Sequence, residues 1–155
     1  MANDPTWVSA PLFVVDVTAM NIVASFSELQ GIVSEVEVAE YIVSDNSSGL
    51  NHTKQFGKVK PPTVTLKRGL DMDGTGMKMW AWHEMAIKGV QTCRSNATLA
   101  ICMPGAPGEP IKQTPFNWML ENCWISKCDI AGLKAGATDV PLITVTLTCD
   151  RITPA

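Results

Sequence analysis

Charge is scarce in this chain. Asp, Glu, Lys and Arg make up 17% of 155 residues, below the roughly 25% usual for soluble domains. The hydrophobic share is 46%. Two readings account for the deficit: a well-filled core, or a surface covered by neighbouring subunits. A net charge of −3 and a pI near 5.3 argue against a nucleic-acid backbone binder, whose mark is a clustered basic face. The one local excess of cations (Lys54, Lys58, Lys60, Lys67, Arg68) is modest and suits a solvated face or strand edge. No segment nears the ~18 apolar residues of a membrane span. Met1-Ala-Asn-Asp-Pro-Thr6 has no basic n-region, and the apolar run 11–15 is too short for a signal h-region. The expectation is a soluble product of the cytoplasm with no stable membrane association.

Catalytic and metal chemistry is missing too. The five cysteines, Cys93, Cys102, Cys123, Cys128 and Cys149, form no CxxC pair, and no histidine lies near Cys123 and Cys128, the closest two. That excludes the usual zinc spacings and leaves reduced thiols acting as small buried hydrophobes. Asp71-Met-Asp73-Gly-Thr75-Gly76 opens like a calcium loop. Its twelfth position must be a bidentate carboxylate and is Trp82, so helix capping explains these residues better. His83-Glu84 begins like a zinc-protease helix, but Ile87 stands where the second histidine belongs. There is no Gly-x-Ser-x-Gly elbow, and Gly74-Thr-Gly76 lacks the lysine of a phosphate loop. Glu35 and Glu37 have no histidine or cysteine partner. Sequons at Asn46, Asn51 and Asn96 have no route to glycosylation without a signal peptide. No cofactor, no metal and no enzymatic activity are expected.

What the chain does have is strand patterning. Leu12-Phe-Val-Val-Asp-Val17 and Asn21-Ile-Val-Ala-Ser-Phe26 are β-branched runs. Over 33–43, Val36, Val38 and Ile42 share one parity and Glu35 and Glu37 the other, as in a strand with one wet face. Near the C-terminus Ile143, Val145, Leu147 and Cys149 alternate with Thr144, Thr146 and Thr148. That threonine face suits solvent, a lumen or a ladder against a neighbouring chain. Leu99, Ile101 and Met103 mark a strand over 98–103. A further strand over 116–124 would point Phe116, Trp118, Leu120 and Trp124 inward. The most informative stretch is Pro62-Thr-Val-Thr-Leu-Lys-Arg-Gly69, a strand with a basic pair that stops at glycine. It is followed by a helix bearing Met79-Trp80-Ala-Trp82. Asp73 or Thr75 can cap that helix, and Gly89 can end it. Met77, Trp80, Ala81, Glu84 and Ile87 make one stripe; Met79, Trp82, Met85 and Ala86 widen it. A helix apolar on more than one stripe packs on more than one side. Two segments look irregular: 44–62, long for a loop inside a domain, and the turn-dense Pro104-Gly-Ala-Pro-Gly-Glu-Pro110. Neither reads as a linker, so one domain over 1–155 is expected.

Taken in order, these motifs resemble the tail tube proteins of contractile phages and the inner tube proteins of phage-tail-like contractile injection systems. The opening resembles the family at Phe13-Val-Val-Asp-Val17, Phe26-Ser-Glu28-Leu-Gln-Gly31-Ile, Glu35-x-Glu37 and Tyr41. The middle resembles it at Val64-Thr-Leu-Lys67-Arg68-Gly69 and the tryptophan helix. The end resembles it at Trp118-x-Leu120-x-Asn122-Cys-Trp124, Lys127 and the last alternating strand. Ile125 departs from the proline common after the late tryptophan. The resemblance implies a mainly β fold, a β-barrel or two-sheet β-sandwich with one flanking α-helix. It implies hexameric rings stacked into a rigid hollow tube, driven through a target envelope to deliver DNA or a protein effector carried in the lumen. The implied partners are further copies of the chain, a contractile sheath protein, and a baseplate hub or tube initiator. The implied place is a bacterial cytoplasm during assembly and then a phage tail or injection particle. The long loop at 44–62 would reach the adjacent ring, with Asp45, Asn51, His52, Lys54, Phe56, Lys58 and Lys60 as interface candidates. Lys67, Arg68, Trp80 and Trp82 are candidates for interface or packing roles. The reading from another class is a small β-barrel ligand-binding module without catalytic activity, which would need an apolar cavity.

Overall fold

The computed structural model describes residues 11–45, 49–70, 72–105, 107–136 and 138–155, without the side chains of 43–45 and 51. The chain opens with a hairpin of β1 (Leu12–Val17) and β2 (Ile22–Phe26). A 3-10 turn over Thr18–Met20 joins them, closed by Asn21 at φ 53°. Asparagine tolerates that left-handed conformation better than other side chains. Alternation puts Val15, Val17, Ile22, Ala24 and Phe26 in the core, as period 2 requires.

The strands β3 (Glu28–Gln30), β6 (Thr63–Gly69), β7 (Ser95–Met103), β8 (Lys112–Ala131) and β9 (Leu142–Thr148) complete the main path. Its order is β2-β1-β7-β8-β9-β6-β3, and β10 (Arg151–Pro154) pairs with β8 beside that path. Every pairing is antiparallel. The two ends of the path, β2 and β3, are consecutive in sequence, and the Ser27 N–H between them donates to Lys67 O at 2.9 Å. The sheet therefore curls back on itself. The 20-residue β8 makes the opposite corner. Its first half pairs with β7 and its second with β9. The result is a mainly β, barrel-like sandwich, filled by Val64, Leu66, Leu99, Leu120, Ile125, Ile143, Val145 and Leu147.

A bulge in β8 redirects its side chains. The register steps from Ser95↔Cys123 to Ala97↔Leu120, and Asn122 sits at φ 54°. Asn96 Oδ1 accepts from the Asn122 N–H at 3.0 Å, and Asn122 Nδ2 donates to Asp150 Oδ2 at 2.6 Å. An extra residue inverts the inside–outside parity. Leu120 is buried, but so are Cys123 and Ile125, while Trp118 and Trp124 are half-buried. Phe116, expected inward, is 48% exposed. Simple alternation fails past Leu120 at this bulge, and Phe116 lies beside a second register shift, between Ala100↔Asn117 and Cys102↔Gln113.

The helix α1 (Thr75–Ile87) lies against β8 and β2. Asp73 Oδ1 accepts from the Thr75 N–H at 2.9 Å, satisfying a free donor of the first turn. At the other end Gly89 has φ 73°. Its N–H reaches Ala86 O at 3.1 Å, and the Val90 N–H reaches Met85 O at 3.0 Å, a Schellman cap. The core side is the second stripe of the sequence reading: Met79 and Trp82 are buried, and Met85 and Ala86 pack beside them. Met77, from the first stripe, is 72% exposed. Spacing separates the two stripes but does not say which one the sheet covers. Trp82 Nε1 donates to Cys93 O at 2.6 Å, and His83 Nδ1 lies 2.9 Å from Ile125 O.

The segment 44–62 is not an irregular loop. β4 (Val36–Asp45) and β5 (Gly49–Val59) form a separate two-stranded sheet. Its sequence hides this because no face of β5 is buried, so no hydrophobic period marks it. A bulge between Val36 and Val38 opposite Gly57 breaks the parity further. Likewise β4 has no dry side. Val36, Val38, Tyr41 and Ile42 are all exposed.

Candidate assembly interface

Among the described residues the β4–β5 hairpin is tied to the rest of the chain at its base. The Lys60 N–H donates to Glu35 O at 3.0 Å, and Lys60 Nζ pairs with Glu35 Oε1 at 3.1 Å. Below that, Gly31 at φ 95° lies so close to the Thr63 carbonyl that a Cβ would collide with backbone, so only glycine allows this approach. Beyond the base, Val38 pairs with Phe56, Glu40 with Lys54, Ile42 with His52, Ala39 with Gln55 and Tyr41 with Thr53. Opposed residues share a face, so apolar side chains stand on both faces. Phe56 is 97% exposed. An isolated two-stranded hairpin is marginally stable in water. One that displays apolar groups on both sides is chemically suited to lie against another surface.

Of the sequence-derived interface candidates, His52, Lys54, Phe56 and Lys58 are exposed on β5, and Lys60 forms the base pair with Glu35. His52 Nδ1 lies 3.6 Å from Glu40 Oε1. Asp45 and Asn51 stand on the strands, but their side chains lie outside the described residues. Six exposed apolar hairpin residues lie outside those interface candidates: Val36, Val38, Tyr41, Ile42, Leu50 and Val59. Val36, Val38 and Ile42 show in the alternation over β4, a pattern that ordinarily marks a buried face; Leu50 and Val59, on β5, show in no period.

The four remaining candidates separate into packing and surface. Trp82 is core. Arg68, with a side chain 11% exposed, reaches Asp73 Oδ2 at 3.5 Å and ties the end of β6 to the start of α1. Lys67 Nζ lies 3.7 Å from Glu28 Oε2 across the β3–β6 pair. Trp80 is half-buried and meets His83 edge-on, with ring centroids 6.3 Å apart. It also lines an open apolar groove of about 290 Å³ with Leu70, Gly74, Gly76, Met77 and Ile130. The outer face of β6 and β9 is a hydroxyl surface, pairing Thr63 with Thr148, Thr65 with Thr146 and Lys67 with Thr144. There Thr148 Oγ1 donates to Ser126 Oγ at 2.9 Å.

Among the described residues the space between the main sheet and α1 is nearly filled. The void between the sheet and α1, lined by Val15, Phe26, Trp82 and Ile125 among others, measures about 10 Å³, roughly the room for one water. All five cysteines are free thiols. Burial, reinforced by neighbouring Cys149, pushes the Cys123 thiol up to about 12. Burial and then Asp150 push Cys149 up to about 11, and burial and then Asp129 push Cys128 up to about 11. Such thiols stay protonated and are poor nucleophiles. Among the described residues no cluster of His, Cys, Asp and Glu could hold a metal ion, and no helix is long and apolar enough to cross a membrane.

Comparisons with known proteins bear on the family and the fold. The model of the family T4-like virus tail tube protein gp19 matches residues 9–153. The fold is similar to a chain of the sheath-tube complex of an extracellular contractile injection system, PVC, in its extended state. The TM-score is 0.66 at 19% identity, covering 94% of this chain and 89% of that one. It is similar to a chain of the anti-feeding prophage tube-terminating cap, with TM-score 0.68 at 17% identity, covering 99% and 93%. It is similar to a type six secretion system protein, with TM-score 0.55 at 14% identity, covering 93% and 82%. At these identities the likeness is one of fold. Among curated proteins none matches this sequence.

Proposed function

Because the chain belongs to the T4-like virus tail tube protein gp19 family, and so is a structural tail tube subunit and not an enzyme, we propose how its copies assemble. Hexameric rings stack into a rigid hollow tube, with the β4–β5 hairpin of each copy reaching the adjacent ring. The hairpin carries this reading. It is long, separate from the main sheet, apolar on both faces and anchored at its base by the Glu35–Lys60 pair. Two further features support it. The edges of a sheet are pairing hazards unless a neighbour covers them, and cyclic closure gives each edge one defined partner. The low charge of the chain fits a surface that is mostly covered.

In the assembled particle the tube runs inside a contractile sheath from a baseplate hub or initiator. Contraction drives it through the target envelope, and DNA or a protein effector passes through the lumen. The threonine face of β6 and β9 lines that lumen. Assembly takes place in the bacterial cytoplasm, before release within a phage tail or injection particle. The ligand-binding alternative loses ground because the barrel interior is packed.

Negative-stain electron microscopy of the native particle and of the recombinant protein tests the proposal. Sixfold rings and hollow tubes are expected. A monomer at every concentration, together with particles whose tube lacks this chain, would overturn it. Hydrogen exchange adds a second test: residues 36–59 should exchange rapidly in the free subunit and be protected in the tube.

A further inference from the structure

We infer that the groove beside the start of α1 is the seat for Phe56 of a second copy of this chain, a knob-and-socket contact that sets how one ring docks on the next. This rests on the stacked-tube reading and names the surfaces it uses.

The socket is apolar and built from separate elements: Leu70 after β6, Gly74, Gly76, Met77 and Trp80 at the start of α1, and Ile130 on β8. Its volume of about 290 Å³ is ample for one aromatic ring. Gly74 and Gly76 add no side chain to it; Gly74 also takes the left-handed φ of 82° that favours glycine. Met77, at 72% exposure, forms a flexible apolar lip, the kind of side chain that moulds to an incoming ring.

The knob is Phe56, at 97% the most exposed of the described large apolar side chains on the hairpin. Val38, directly opposite it, extends the apolar surface on the same face. The bulge at Gly57 holds the two strands close, since a Cβ there would lie 2.6 Å from Glu37 O.

Placement on the fold selects the occupant. The hairpin leaves the barrel just before Thr63, the first residue of β6, whereas the groove begins at Leu70, just past the last residue of β6, Gly69. At about 3.3 Å per residue, knob base and socket lie roughly 20 Å apart at opposite ends of that strand. A copy cannot readily fill its own socket across that span. A second copy stacked head to tail brings its hairpin end against the socket end of the first. Complementary patches at opposite ends of one chain make a heterologous contact, which propagates into an open stack. Phe56 lies only three residues from Val59 at the hairpin base, about 10 Å along the strand. That is the depth at which an abutting end would meet it.

The test places a photo-crosslinking benzoylphenylalanine at position 56 of the full chain and maps the adduct in assembled tubes by mass spectrometry. A crosslink to the peptide spanning 70–80 of another copy is expected in tubes and absent from the free subunit. Adducts elsewhere in the chain, or on a different polypeptide, overturn the inference while tubes in the micrographs leave the stacking reading standing. Failure to form any rings or tubes with the unmodified chain overturns both. In parallel, Phe56→Ala and Met77→Glu should each raise the concentration needed for tube growth roughly tenfold to a hundredfold, the range that burying one phenylalanine commands. Because both residues are exposed, neither change should move the thermal midpoint of the subunit. The double variant should be no worse than the more severe single one, since partners in one contact are not additive. Full additivity would overturn the pairing.

Discussion

The hairpin can be removed without touching the core. Joining Glu35 to Lys60 through Asn-Gly in place of 36–59 uses an existing contact, because the Lys60 N–H already donates to Glu35 O at 3.0 Å. That spacing suits a two-residue turn, and Asn-Gly favours the type I′ geometry that matches strand twist. None of the core residues comes from 36–59, so no burial term is lost beyond the flank of Val36 and Val59 against Arg151, Ile152, Thr153 and Pro154. Exposed Val36 and Val59 contribute at most about 1 kcal/mol there. Against this, loop closure becomes easier. Each doubling of loop length costs about 0.6 kcal/mol, so the shortening favours the deletion by about 2 kcal/mol at most. The net expectation is a urea midpoint unchanged or slightly raised, with a similar m-value. Tube formation, by electron microscopy and sedimentation, should be abolished. A loss of more than about 2 kcal/mol would mean that the hairpin is part of the folding unit. Tubes of normal length from the deletion would refute its role in stacking.

Three smaller perturbations test the fold that presents these surfaces. Trp82→Phe removes the Nε1 donor to Cys93 O and part of a buried ring, and should cost about 2–4 kcal/mol in urea unfolding; half-buried Trp80→Phe should cost clearly less. Asn122→Ala forfeits the left-handed preference and the bond to Asp150, about 1–3 kcal/mol, whereas Asn122→Gly should lose less because glycine accepts φ 54° freely. Cys123 titrates near 12 when folded against 9.0 for a free thiol. Between those values the unfolded chain has lost a proton that the native chain retains, so stability falls as pH rises from about 9 toward 12. Denaturation midpoints measured across that window should flatten in Cys123→Ala; an unchanged slope would contradict the burial of this thiol as its cause.

Strand and helix existence was legible because burial leaves a period. Ile143, Val145 and Leu147 alternate along β9, and they and Cys149 just past its end are all buried. Asp73 and Gly89 bound α1 because unsatisfied helix ends demand a side-chain acceptor and a left-handed residue. Lys54, Phe56 and Lys58 were legible as interface candidates through the resemblance to the family, not through any pattern of their own. Phe116 and the apolar residues of β4 were misplaced by one assumption, that alternation has a dry side.

By itself, then, the sequence determined a mainly β chain with one capped helix, for these follow from local chemistry and short periods. Only the tertiary structure decided three things. The bulge at Asn122 exchanged inward and outward residues of β8. Residues 49–59 became the second strand of a separate hairpin. The groove beside α1 added Leu70 and Ile130, from distant parts of the chain, to the Met77–Trp80 stripe. Each depends on contacts between distant segments, and a sequence period carries no information about which face of an element meets another chain.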